Sequence, residues 1–108
     1  MLIAAAGDLD VEHGSEFIMG EDSEVIVDGK LHLNGALHST GVLTNNNLVV
    51  VGESGVLENE NDGTFSVSAT GSFQNKGTTV NKGNIANSGA ATEGSVAGVP
   101  YGKKEGRF

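Results

Sequence analysis

The segment Gly71-Ser72-Phe73-Gln74-Asn75-Lys76, Gly77-Thr78-Thr79-Val80-Asn81-Lys82, Gly83-Asn84-Ile85-Ala86-Asn87-Ser88 repeats every six residues and runs on into Gly89. Glycine opens each unit and asparagine holds its fifth position. The same six-residue spacing appears upstream in Val25, Leu31, Leu37, Leu43 and Val49, with Gly29, Gly35 and Gly41 two positions ahead of the leucines. Between the two blocks the spacing stretches to eight, through Gly55, Gly63 and Gly71, followed by Leu57, Phe65 and Phe73. The repeat is degenerate but continuous.

Inside a unit the alternation has period two, as in Val25-Ile26-Val27, Leu31-His32-Leu33 and Phe65-Ser66-Val67, so each unit reads as one short strand and a bend. Gly29, Gly35, Gly41, Gly71, Gly77, Gly83 and Gly89 are the expected structural turns, and glycine and asparagine together are expected to supply corners with positive φ. No i, i+3, i+4, i+7 apolar stripe is present, and a glycine about every six residues would cost roughly 1 kcal/mol each in a helix. The fold is therefore all-β.

Two all-β arrangements compete. In a β-meander, Asp28-Gly29, Asn34-Gly35 and Asp62-Gly63 would be two-residue type I′ hairpin turns. In a β-solenoid (β-helix-like repeat) the same pairs are corners between short parallel strands stacked coil on coil. The regular six-residue period favours the solenoid, because successive hairpins with such short strands leave little face to bury.

The runs Gly41-Val42-Leu43-Thr44-Asn45-Asn46-Asn47-Leu48-Val49-Val50-Val51 and Gly55-Val56-Leu57-Glu58-Asn59-Glu60-Asn61-Asp62-Gly63-Thr64-Phe65-Ser66-Val67 resemble the Gly/Asn-rich β-solenoid segments of phage fibre, spike and head-decoration proteins, and of haemagglutinin-like adhesins. The resemblance covers about residues 25–90. It implies a virion-surface component, a capsid decoration (cement) or head-fibre protein, made in the host cytoplasm and mounted on the particle. By the same analogy the oligomer would be a trimer. Left-handed hexapeptide acyltransferases share the period, but their aliphatic-then-small pattern is met badly here, where glycine precedes the aliphatic residue by two.

The composition is consistent with a role that depends on association. The chain has 108 residues, 37% of them hydrophobic and 5% aromatic, so a thick self-sufficient core is hard to build. A short repeat needs caps or partners, and we expect a homo-oligomer in which copies complete a shared core or cover each other's edges. Three regions are expected: an acidic N-terminal strand or arm over 1–24, the repeat over 25–91, and an extended basic arm over 92–108. With no cysteine, disulfides and thiolate metal sites are excluded. The N-terminus lacks a basic region and has an apolar run too short for a signal peptide, and no 18-residue apolar run is present, so no membrane span is expected.

Charge is unevenly distributed. Residues 1–62 carry twelve Asp and Glu against Lys30 alone, a net −11, whereas residues 63–108 carry Glu93 and Glu105 against five bases, a net +3. An acidic first half argues against nucleic-acid binding, which needs clustered Lys and Arg. Tyr101, Lys103, Lys104, Arg107 and Phe108 are the expected partner-binding residues, the bases docking on an acidic surface such as a major capsid protein and the two aromatics acting as anchors.

No nucleophile elbow, P-loop, His-Glu-x-x-His or dinucleotide fingerprint is present, so an enzyme and a cofactor are not expected. His32 and His38 stand one repeat apart and could meet as a ladder binding a metal, although surface histidines are the better reading. Asp8, Asp10 and Glu12 alternate with Leu9 and Val11 and read as a solvated face rather than a calcium site. Asn45, Asn46, Asn47, Asn59, Asn61, Asn75, Asn81 and Asn87 could form amide ladders along the stack, Asn75, Asn81 and Asn87 above all. The expected function is structural. The alternative is a carbohydrate- or cell-binding adhesin segment, on a bacterial surface and recognising a glycan. A hexapeptide transferase using His32 or His38 as general base ranks third.

Overall fold

The computed structural model describes residues 1–92, 95–98 and 102–103. Sixteen short strands follow one another without a helix among the described residues: β1 (Leu2–Ile3), β2 (Asp8–Val11), β3 (Glu16–Met19), β4 (Glu24–Val27), β5 (Lys30–Leu33), β6 (Ala36–Ser39), β7 (Val42–Asn45), β8 (Leu48–Val51), β9 (Val56–Asn59), β10 (Thr64–Val67), β11 (Ser72–Asn75), β12 (Thr78–Asn81), β13 (Asn84–Asn87), β14 (Ala90–Thr92), β15 (Ser95–Gly98) and β16 (Gly102–Lys103). Each strand pairs in parallel with the strand three further along. The result is a six-stranded sheet β1-β4-β7-β10-β13-β16 and two five-stranded sheets, β14-β11-β8-β5-β2 and β15-β12-β9-β6-β3. The protein is a three-sided β-solenoid, and the Asp28-Gly29 and Asn34-Gly35 pairs are corners between parallel strands, not hairpin turns.

A four-residue strand places its second and fourth side chains inward and its first and third outward. Three strands per coil therefore supply two layers of three inward side chains. In the β4–β6 coil these are Val25, Leu31 and Leu37, then Val27, Leu33 and Ser39, none more than 3% exposed. In the β10–β12 coil Phe65 and Phe73 meet edge to face, with centroids 5.0 Å apart at 81°, and Thr79 completes the layer. Two large side chains and one small one fill the space that Leu43, Val49 and Leu57 fill a coil below. The inward side chains of the single chain thus pack in successive layers between its three sheets.

The buried Oγ1 of Thr79 has no hydrogen-bond partner among the described residues. A desolvated hydroxyl left unpaired costs about 1–3 kcal/mol. Thr79→Val keeps the shape and removes the hydroxyl, so it is expected to stabilise the fold by about 1 kcal/mol. A rise in urea midpoint at unchanged m-value checks this; a fall would show that the hydroxyl is satisfied.

Corners come in two lengths, and their stacking explains the glycines. Four-residue turns such as 4–7, 12–15, 20–23, 52–55, 60–63 and 68–71 are closed by N–H donation from the last residue to the first carbonyl, for example Gly55 N to Gly52 O at 2.9 Å. Two-residue corners lie directly over them. The glycines at the ends of these corners, Gly29, Gly35, Gly41, Gly77, Gly83 and Gly89, each sit between the first and last carbonyl oxygens of the turn beneath. A Cβ on Gly77 would collide with the carbonyl oxygens of Gly52 and Gly55. Gly71 differs, since it closes a four-residue turn, and its Cβ would meet the Asn45 carbonyl. The expectation of positive-φ corners is corrected. Among the described residues only Gly14, with φ of 88°, takes such a conformation, and Gly29, Gly35, Gly41, Gly71, Gly77, Gly83 and Gly89 are required by close approach instead.

One corner breaks this pattern and shows its cause. Asn46-Asn47 lies over another two-residue corner, Asp28-Gly29, where no four-residue turn crowds the second position. Asn47 fits there and donates from Nδ2 to the Gly29 carbonyl at 2.8 Å, while Asn46 donates to the Asp28 carboxylate at 2.9 Å.

The fourth strand position carries the asparagines. Asn45, Asn75, Asn81 and Asn87 point inward and are buried, and each accepts at Oδ1 from the backbone N–H two residues on, at 3.0–3.3 Å. Asn75, Asn81 and Asn87 end β11, β12 and β13, which belong to three different sheets, so they ring the stack instead of forming a ladder along it. Along the stack, Asn59 Nδ2 donates to Asn81 Oδ1 at 3.0 Å.

The region boundaries also shift. Residues 1–24, expected to precede the repeat, form β1–β3 and pair in register with β4–β6. In the expected 92–108 arm, β15 pairs with β12 and β16 with β13. Strands β1–β3, β15 and β16 therefore continue the sheets.

Candidate functional site

Chemistry-bearing side chains gather on the outer faces, where the first and third strand positions point to solvent. His32 and His38 occupy the third positions of β5 and β6, which lie on different sheets. Six residues is one side of the prism and not one coil, so the two imidazoles do not form a ladder. Each instead faces carboxylates from the coils stacked above or below it.

On the β3-β6-β9 face, register pairs His38 with Glu58 and also with Ile18. His38 Nδ1 is in close contact with the Glu58 carboxylate and lies 3.8 Å from Glu60 Oε2. On the other side of the ring, Nε2 lies 3.6 Å from Glu16 Oε2. His38, Glu58 and Glu60 are each about 30% exposed, so the cluster is shielded but reachable. Glu60 is held by its position in the 60–63 turn, its N–H donating to Ser39 O at 2.8 Å and its carbonyl accepting from Gly63 N at 2.9 Å. Beside the cluster is an open groove of about 490 Å³, lined in part by Ile18, His38, Thr40, Glu60, Asn61 and Asp62. Ile18 is 70% exposed and forms its apolar wall.

The second cluster, on the β2-β5 face, is looser. His32 Nε2 lies 3.7 Å from Asp8 Oδ1, with Asp10 at the register position paired to His32. Asp8 and Asp10 are exposed, as the solvated-face reading expected. Glu12 does not share their strand, because β2 ends at Val11 and Glu12 opens the 12–15 turn. His13 lies in that turn and lines a smaller groove of about 230 Å³.

Tyr101, Lys104, Arg107 and Phe108 lie outside the described residues, and Lys103 lies on β16. Glu16, Glu58 and Glu60 had not been singled out from the sequence. Glu58 is one coil of 20 residues from His38, and Glu16 and Glu60, 22 residues away, lie two residues beyond that register, a signal available only once three strands per coil are known. No family model, no curated protein and no solved structure matches this chain.

Proposed function

We propose that the protein is a non-enzymatic structural component of a virion surface, a capsid decoration or head-fibre protein that associates with itself and docks on a larger assembly. The observation that carries this reading is the solenoid itself, a stack of parallel coils with a core filled by side chains in successive layers. Such a stack is a stiff spacer with sheet faces and ends available to neighbours. Leu2 and Ile26 are paired on the outer face of β1 and β4, and exposed Val42 on β7 lies in the adjoining outward row beside Glu24, which gives that face apolar side chains for contact with a second copy. The acidic first half and basic last region add complementary charge.

Light scattering coupled to size exclusion tests the association. A mass about three times 11.0 kDa is expected for the trimer, and a monomer at micromolar concentration would remove it. The second reading, a carbohydrate- or cell-binding adhesin segment, draws support from the groove beside Ile18, where Thr40, Asn61 and Asp62 offer hydroxyl, amide and carboxylate groups around an apolar wall. Saturable binding of the isolated chain on a glycan array would favour it over the decoration reading, which expects none.

A further inference from the structure

We propose that His38, Glu58 and Glu60 form a binding site for a first-row divalent metal ion such as Zn²⁺, with Glu16 holding the imidazole from behind. The argument rests on the protons available to the ring. A neutral imidazole has one N–H and one lone pair, whereas an ionised carboxylate only accepts. His38 has carboxylates on both sides, Glu58 and Glu60 towards Nδ1 and Glu16 towards Nε2. With Nε2–H directed at Glu16, the Nδ1 lone pair faces two further carboxylates, and a cation is needed between them. No outward position of β3, β6, β9 or β12 is a lysine or arginine, and the close opposite-charge approaches among the described residues all involve histidine.

The ligand atoms of His38, Glu58 and Glu60 lie within 4.8 Å of one another, close enough to converge on one ion. One imidazole nitrogen and two carboxylates suit zinc and its neighbours, whereas calcium prefers six to eight oxygens. A carboxylate on the far ring nitrogen is the arrangement that fixes the tautomer of a metal-binding histidine, and Glu16 stands there. The backbone beneath is preorganised, since β6 and β9 are paired in register and the 60–63 turn is closed by its own hydrogen bond. The adjacent groove leaves room for water or a further ligand on the ion. The Asp8, Asp10 and His32 cluster lacks this second side, having two exposed carboxylates and no carboxylate placed behind the ring.

The test is calorimetric titration of the untagged full chain with ZnCl₂ near neutral pH, in a His32→Ala background that removes the other histidine cluster. One ion per chain is expected, with affinity falling at least tenfold in His38→Ala and in Glu58→Gln. Glu16→Gln, a positioning change, is expected to weaken binding by about tenfold while leaving the stoichiometry at one. Circular dichroism confirms that each variant folds, which the outward placement of these side chains favours. The His38 imidazole signals should shift on adding Zn²⁺, and equimolar Ca²⁺ should not displace it. Unchanged binding in His38→Ala, displacement by Ca²⁺, or an absence of saturable heat below millimolar Zn²⁺ would each overturn the site; in the last case the cation between the carboxylates is a proton.

Discussion

Phe65→Ala is expected to lower stability by about 3–5 kcal/mol, the range for removing a buried aromatic without collapse of the site. The ring is 1% exposed and contacts Phe73 edge to face, so truncation removes both its own burial and the aromatic pair. The site cannot close over the gap, because the layer is bounded by sheets whose spacing is set by the backbone ladders of the coils above and below. In a domain of this size such a loss lowers the thermal midpoint by more than about 10 °C. Phe65→Leu restores most of the volume and should cost less than about 1.5 kcal/mol. Chemical denaturation followed by circular dichroism measures both, and an alanine penalty below about 1 kcal/mol would mean that the layer is loosely filled.

Gly77→Ala is expected to cost about 3 kcal/mol or more, as much as a core deletion, although it adds a single methyl group at a corner. The added Cβ would lie between the Gly52 and Gly55 carbonyl oxygens. Neither oxygen can withdraw, since Gly52 O accepts from Gly55 N at 2.9 Å and Gly55 O accepts from Thr78 N at 3.1 Å. Gly20 provides the control. A Cβ there meets nothing within 4 Å and its φ is not positive, so Gly20→Ala should be neutral or slightly stabilising through the unfolded chain. Equal effects at the two positions would show that corner glycines serve backbone freedom and not close stacking.

The inward series was legible because it follows directly from period two within the strand. Val25, Leu31, Leu37, Leu43 and Val49 all proved to be second positions, and all are buried. The strands followed from that period, and the solenoid from the six-residue repeat. Residues 1–24 were misread because every corner of the first coil has four residues, which spaces Leu9, Phe17 and Val25 by eight instead of six. The same eight-residue spacing was recognised at Leu57, Phe65 and Phe73, where glycines mark it; Ser15 and Ser23 take the glycine positions in the first coil.

The candidate site was hidden for a related reason. Neighbours in space are 16 to 24 residues apart, and the offset changes with each corner, from 24 for Leu2 and Ile26 to 16 for Ala86 and Gly102, with 20 for His38 and Glu58. A repeat period of six identifies which residues face outward but not which of them meet. That depends on the sum of three corner lengths. Asn75, Asn81 and Asn87 were misassigned in the same way, as residues six apart lie around the prism and not along it, whereas Asn59 and Asn81 do meet along the stack.

The seating of short corners on long turns also limits how such a chain can change length. Excising the β4–β6 coil would lower the 52–55 turn onto 12–15 and the 60–63 turn onto 20–23, setting two wide loops together where a glycine now nests. At the third edge it would bring Asn47 down onto the 4–7 turn, where Gly29 now sits. A coil of this protein is therefore not an interchangeable brick. Growth or loss by whole-repeat duplication or deletion must rewrite the corners of the neighbouring courses at the same time, which ties the height of the prism to its sequence.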